Sequence, residues 1–421
     1  MHIGAIKIKN IASIEEIDIS FQQADIPLAG WHVLIGDNGS GKTSILRAIA
    51  VCLCGPGRFK SFRLNERRLL KKGANAGSIS MKLIPDEREK KQVATQSLEM
   101  AFKRVNDTEE VSYEGKEGTE SKIWKGTYGW FSASFGPFRR LTGGNSQSNK
   151  LFDEDHRVAA HISVFEPEVA FVQVDEWLTR LQLQKLEQNN SSTFIDRLIE
   201  FINQDELLPN GFKLSKISSE GVFFRSPRGE NIPLDWLSDG YKSVLSLMLE
   251  LIRQMTIFFP ENQYGNPFVQ LQEGCWAVKH SGVVLIDEID GHLHPTWQVR
   301  IGQWLTRYFP HIQFIVTTHS PLICRAAEKG SVWKLAAPGS EEESGQVTGT
   351  DLQRLIYGNV LDAYGTEVFG DNVTRSDRAH GMLDELARLN RKSTFGTLTE
   401  DEQARQGELR RIFTTDDTVA L

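Results

Sequence analysis

An α/β fold, with a parallel sheet whose strands feed helices, is predicted by three stretches of this 421-residue sequence. "WHVLIG", Trp31 to Gly36, is uniformly apolar, and from Lys42 the apolar spacing turns helical through Ile45, Leu46, Ile49 and Leu53. "GVVLIDE" and "QFIVTTHS" are two further apolar runs, separated by the helical "PTWQVRIGQWLTRYF". Buried strand, helix, buried strand is the βαβ pattern. Between the first strand and its helix stands Gly36-Asp37-Asn38-Gly39-Ser40-Gly41-Lys42-Thr43, which fits G-x-x-x-x-G-K-[ST] in the context that pattern requires. The fold class expected is therefore that of a P-loop nucleotide-binding protein.

Ahead of the loop, "IGAIKIKN" and "IEEIDISF" alternate apolar with polar residues and read as two amphipathic strands paired through Ile11-Ala12-Ser13. Strand patterns return at "SISMKLI", "SLEMAF" and "YGWFSASF", with charged Asp86 to Lys91 expected as an exposed loop, so residues 1–150 form a β-rich lobe. Over 151–210 the pattern is helical, in "VAFVQVDEWLTRLQLQKLEQ" and "STFIDRLIEFINQ", without heptads long enough for a coiled-coil arm. The segment 211–350 holds "FKLSKIS" and "GVFFRS", a long helix from Ser238 to Met255 and the βαβ stretch. After the flexible "APGSEEESGQ", residues 351–421 are polar and helical, with apolar positions in "TEDEQARQGELRRIF" too sparse for a core of their own.

The chemistry follows from residue types at these places. Backbone N–H groups of the glycine loop (Gly36, Asn38, Gly39, Ser40, Gly41) wrap phosphates, Lys42 reaches the β and γ oxygens, and the Thr43 hydroxyl suits Mg²⁺. Adjacent carboxylates at a buried strand exit are costly unless they meet a cation. Asp287 is read as a water-mediated Mg²⁺ ligand and Glu288 as the base for the attacking water. Neighbours on a strand face opposite sides, so the chain must already be turning there, and Gly291 is expected to permit it. His319 follows another apolar strand and is assigned to the γ-phosphate. "LSDGYKS" opens the long helix with either a simple serine cap or, through Ser238 and Gly240, a second phosphate contact.

With those elements in order, the chain resembles the ABC-type ATPases, whose signature "LSGGQ" lies between P-loop and acidic strand. Ser238 and Gly240 match it; Asp239 and Tyr241 depart. The resemblance implies an ATP-sandwich homodimer in which one subunit's signature closes over the phosphate held by the other, with Asp290 at the seam. "DEIDGHLHPTWQ" and "VLIGDNGSGKTSILRAIA" look like the RecF, SMC and OLD branch, and within it like the compact PtuA-type ATPases of Septu anti-phage defence, which pair with an HNH nuclease. A RecF/SMC-like DNA repair ATPase is the alternative, and a transporter subunit is disfavoured by the signature context. No Q-loop glutamine is evident; "SFGPFRR", Ser134 to Arg140, takes its place.

Formal charge is −7, so any nucleic-acid contact must be local. The candidate is Gly57 to Lys72, where Arg58, Lys60, Arg63, Arg67, Arg68, Lys71 and Lys72 face one acid, Glu66, with Phe59 and Phe62 interleaved. A basic face that is merely solvated or subunit-contacting is the competing reading. His292 and His294 are too few for zinc, and "TTDDT" near the end is not a nuclease D-x-D strand. Cys52, Cys54, Cys275 and Cys324 read as reduced, buried thiols. With no apolar leader and no run of roughly 18 apolar residues, a cytoplasmic protein away from the membrane is expected.

Overall fold

The alternation at the N-terminus becomes β1 (His2–Ile11) and β2 (Ile14–Ser20), antiparallel with Ile6 opposite Ile19 and Ile8 opposite Ile17. The computed structural model describes residues 1–421 except 24–25, 63, 65–68, 87–93, 106–109, 118–122, 125–129, 139–154, 167–172, 189–193, 205–207, 209–210, 219–220, 260–268, 273, 338, 341, 361–362, 364–365, 367, 369–376, 395, 397 and 414–421. The linker "NNSS", nearly all of the loop expected over 86–91 and "TTDDT" thus lie outside the described residues; Asp86 itself is buried. Two units result, Met1–Tyr357 and Gly358–Leu421.

In the first unit β1 also pairs with β4 (Ala76–Ile84), which continues through β5 (Gln96–Arg104) to β6 (Val111–Glu117). Alternating residues of β4 and β5, among them Ile79, Met81, Leu98 and Met100, are buried, and Ile6 and Ile8 of β1 join them. That face packs on α1 (Lys42–Cys54), whose Ile45, Leu46, Ile49 and Leu53 share the same core. Cys52 and Cys54 are buried there, which pushes both thiols up, Cys54 to about 12. Cys275 is only half-buried, because it sits on the short two-stranded ribbon of β11 (Val269–Gln272) and β12 (Cys275–Val278) rather than in the core.

A second sheet carries the predicted apolar runs: β3 (Gly30–Gly36), β7 (Phe131–Phe135), β13 (Gly282–Ile286), β14 (Ile312–Thr318), β15 (Gly330–Leu335) and β16 (Gly345–Gln346). Its order is β16-β15-β3-β14-β13-β7, parallel throughout except for β16. A strand buried on both faces has no reason to alternate, and β7, β13 and β14 are buried at every residue. The C-terminal ends of β3, β14 and β13 therefore lie side by side, where open α/β sheets bind their ligands.

Helices α2 (His156–His161), α3 (Gln173–Gln188) and α4 (Phe194–Ile202) precede the ribbon β8 (Lys213–Ser218), β9 (Gly221–Arg225) and β10 (Asn231–Pro233). The long helix α5 runs Asp239–Phe258 and packs on α3 and β7. Helices α6 (Pro295–Tyr308) and α7 (Pro321–Cys324) follow β13 and β14. Helix α8 (Gly349–Tyr357) stays with the first unit, its Leu355 fully buried, so the separate segment begins at Gly358.

The second unit corrects one expectation. Helices α9 (Asp377–Thr394) and α10 (Glu400–Ile412) pack on each other and bury Leu386, Leu389, Leu409 and Phe413, a small core of the segment's own. The sparse pattern hid it because α9 supplies the missing half. Thr399 and Glu402 close a capping box at the start of α10, and Arg405 and Lys392 pair with Glu385 and Glu402 across the hairpin. Among the described residues no helix is long and apolar enough to cross a membrane.

Candidate functional site

Gly36 ends β3 and Gly41 caps α1, so the loop between them is fixed by a strand and a helix. Gly39 and Gly41 have φ of 83° and 94°, a region closed to most side chains. Lys42 Nζ folds back over the loop and donates to the carbonyls of Gly36, at 2.7 Å, and Asp37, at 2.9 Å. Burial lowers the Lys42 pKa, and the carboxylates of Asp287 and Glu288 partly offset that. Asp37, Asn38 and Gly39 are exposed at the loop's tip. Ser40 Oγ is enclosed yet has no hydrogen-bond partner among the described residues. An enclosed hydroxyl without a partner costs about 1–3 kcal/mol. A loop that keeps one beside a cation and a row of N–H groups fits a bound polyphosphate.

Asp287 leaves β13 buried, and two hydroxyls reach it: Thr43 Oγ1 donates to Oδ2 at 2.8 Å and Thr317 Oγ1 to Oδ1 at 2.6 Å. Its own N–H donates to the Phe135 carbonyl at 2.8 Å, holding the strand exit against β7. Glu288 is exposed, its N–H donating to Thr317 Oγ1 at 2.8 Å. The turn that parts the two acids is not made by Gly291. Glu288 itself takes φ 45° and His292 φ 64°, left-handed values that cost an L-residue roughly 1–2 kcal/mol. Strain of that kind at a strand exit swings the Glu288 side chain away from the line it would follow in a strand. Thr43 and Asp287 place two oxygen ligands side by side, the kind that could hold a hard cation such as Mg²⁺.

His319 is exposed at the end of β14, between Thr318 and Ser320, both buried. Thr318 Oγ1 donates to Asp290 Oδ1 at 2.5 Å. Sequence reading passed over Thr317 and Thr318, although two consecutive hydroxyls at the end of an apolar strand must find partners once buried. His294 is the N-cap of α6, its Nδ1 accepting from the Thr296 N–H.

Ser238 and Gly240 lie at the start of α5. Ser238 is the N-cap residue, yet its exposed side chain makes no capping hydrogen bond, so the simple-cap reading fails for its hydroxyl. A Cβ built on Gly240 would meet only the His292 carbonyl, at 3.7 Å. The fold of this chain therefore does not need glycine there. Tyr241 stands against Phe212 and Trp297. At the Q-loop position, Gly136 donates to Ser163 Oγ, while Arg139 and Arg140 lie outside the described residues.

Two cations of the basic run and both of its aromatic rings are committed elsewhere. Phe59 and Phe62 are core residues packed on Phe102, Tyr113 and Phe165, so they offer no ring for stacking on a base. Arg58 binds Asp155 and the Trp124 carbonyl, and Lys71 binds Glu15. Arg63, Arg67 and Arg68 fall outside the described residues.

Fold and site together define an ABC-type P-loop ATPase. The chain belongs to the family described as "AAA domain, putative AbiEii toxin, Type IV TA system", which matches residues 32–325. It is similar to the Septu protein PtuA of Bacillus mycoides (strain KBAB4), 30% identical over 379 residues, which are 86% of this chain and 45% of that protein. The chain thus spans just under half the length of that relative. The Septu protein PtuA of Bacillus thuringiensis is 25% identical over 89% of this chain and 85% of its own length. Among solved structures, an SMC head bound to the C-winged helix domain of ScpA aligns with a TM-score of 0.47 and 17% identity, covering 82% of this chain and 97% of the other.

Proposed function

We propose that this chain binds and hydrolyses ATP with Mg²⁺ as a head-to-tail homodimer and that the cycle gates a partner nuclease of the HNH type in anti-phage defence. The observation that carries the ATPase part is the convergence of Lys42, Thr43, Asp287 and Thr317, with Ser40 Oγ left unpaired beside them. Thr43 and Asp287 would hold the metal, which supplies charge neutralisation at the phosphates. Lys42 compensates the β and γ charges, and Glu288, swung out of the strand line, takes the proton of the attacking water. His319 meets the γ-phosphate from the neighbouring strand end.

The sandwich is supported by Ser238 and Gly240. A serine hydroxyl that caps nothing and a glycine that its own chain does not require suit close approach by another molecule's phosphate. The nuclease partner is supported by the likeness to Septu PtuA proteins and by a C-terminal unit that is not part of the nucleotide fold. Measuring ATP turnover of wild type and Glu288→Gln tests the core of the reading. Equal turnover would sink it. Co-purification with the neighbouring gene product tests the partner.

A further inference from the structure

Around His319 the hydrogen bonds close into a circuit that the nucleotide chemistry alone does not call for. Thr318 Oγ1 donates to Asp290 Oδ1 and accepts from the Ser320 N–H at 2.9 Å. Ser320 Oγ donates to Gln298 Oε1 at 2.7 Å. Gln298 Nε2 donates to the Leu293 carbonyl at 2.9 Å and reaches the Asp290 carbonyl at 3.4 Å, which returns the chain of contacts to its start. Gln298 lies in the first turn of α6, and side chains on a helix point back toward its N-terminus, so this one covers the turn between the acids and the helix. His319 is the exposed residue between the two buried members Thr318 and Ser320.

We infer that Gln298 is a positioning residue that joins the Asp290 turn to the segment carrying His319, so that displacement of one moves the other. This rests on the reading that His319 meets the γ-phosphate and that Asp290 lies at the seam with a second copy. Under it, closure of the second copy on Asp290 is transmitted to His319 through two side-chain amide contacts and two hydroxyls. Apolar packing could hold α6 in place without any of them. The amide is specific because it accepts on one side and donates on the other.

The test uses the full-length chain and measures melting temperature, affinity for the β,γ-imido analogue of ATP, and kcat. Gln298→Leu removes both halves of the amide; Gln298→Glu keeps the acceptor toward Ser320 and loses the donor. Both are expected to bind the analogue within about twofold of wild type and to lose about tenfold or more in kcat. Combining Gln298→Leu with Ser320→Ala is expected to cost no more than the worse single change, since both cut the same Ser320–Gln298 bond. Wild-type kcat in both Gln298 variants, while His319→Ala is inactive, overturns the inference and leaves the site reading standing. Affinity, melting temperature and kcat falling together in both variants, or additive losses in the double variant, reduce Gln298 to a fold contact and overturn it too. Normal turnover by His319→Ala removes the site reading itself and this inference with it.

Discussion

The Thr43 hydroxyl donates to Asp287 Oδ2 across 2.8 Å, joining the loop after β3 to the exit of β13. Thr317 supplies the second hydroxyl to the same carboxylate from β14, which lies between those two strands in the sheet. Thr317→Val should therefore remove one of two hydroxyl donors from a buried acid and lower stability by about 1–3 kcal/mol. Chemical denaturation without nucleotide measures it, and an unchanged midpoint would mean that the Asp287 carboxylate does not depend on this bond.

Lys42→Ala should lose ATP affinity, because the phosphate charge goes uncompensated, whereas Glu288→Gln should bind ATP and fail to turn it over. Filter binding and phosphate release separate the two. A Lys42→Ala protein with wild-type affinity would contradict the placement of phosphate in the loop.

Gly240→Glu should leave melting temperature and ATP binding intact, since beyond its own helix turn the nearest atom to the new Cβ among the described residues is the His292 carbonyl at 3.7 Å, and abolish turnover by blocking the partner's phosphate. Mixed with Lys42→Ala, it leaves one composite site whole in each heterodimer. Recovery of activity on mixing supports action in trans, provided the sites are not tightly coupled. Normal hydrolysis by Gly240→Glu alone would rule out the sandwich.

Two buried histidines tie stability to pH. His161 sits between Ser132 Oγ and Ser134 Oγ, and burial pulls its pKa from 6.5 down to about 3; His32, held by Ser331 and the Leu28 carbonyl, falls to about 4 for the same reason. Both folded values lie below the unfolded one, so the unfolded chain takes up the protons first as pH falls. Their contribution is complete above pH 6.5 and is lost progressively toward about 4 for His32 and about 3 for His161, at up to about 1.4 kcal/mol per pH unit for each ring. His161→Gln should flatten part of the decline in melting temperature below pH 6. A slope identical to wild type would show that His161 protonates in the folded state.

Truncation after Tyr357 should leave a folded protein that still binds ATP, because Leu355 and the core of the first unit are kept. Cutting after Gly349 should be more damaging, since it strips α8 from that unit. If the protein truncated after Tyr357 also keeps the nuclease partner at full stoichiometry, the docking surface lies elsewhere than in residues 358–421.

Much of this was legible in the one-dimensional order. The glycine loop, the acid pair and His319 each announce themselves through residue types that a bare strand or helix has no use for, whereas Ser238 reads equally well as a simple helix cap until the structure shows that its side chain caps nothing. Their strands were recognisable because continuous apolar runs of strand length between helical segments fit a parallel sheet buried on both faces. Tertiary structure alone decided which residues complete them. Thr317 and Gln298 read as ordinary strand and helix residues until β14 is placed between β3 and β13 and α6 is laid beside the Asp290 turn. The turn between the acids was assigned to Gly291 because glycine is the usual bearer of a left-handed backbone, but packing and hydrogen bonds imposed that conformation on Glu288 instead. Phe59 and Phe62 looked like exposed rings among cations, and only the docking of the antiparallel sheet on α1 shows that they are core. Local pattern reports what a residue can do; burial and hydrogen-bond partners, which come from segments 22 to 244 residues away, select what it does.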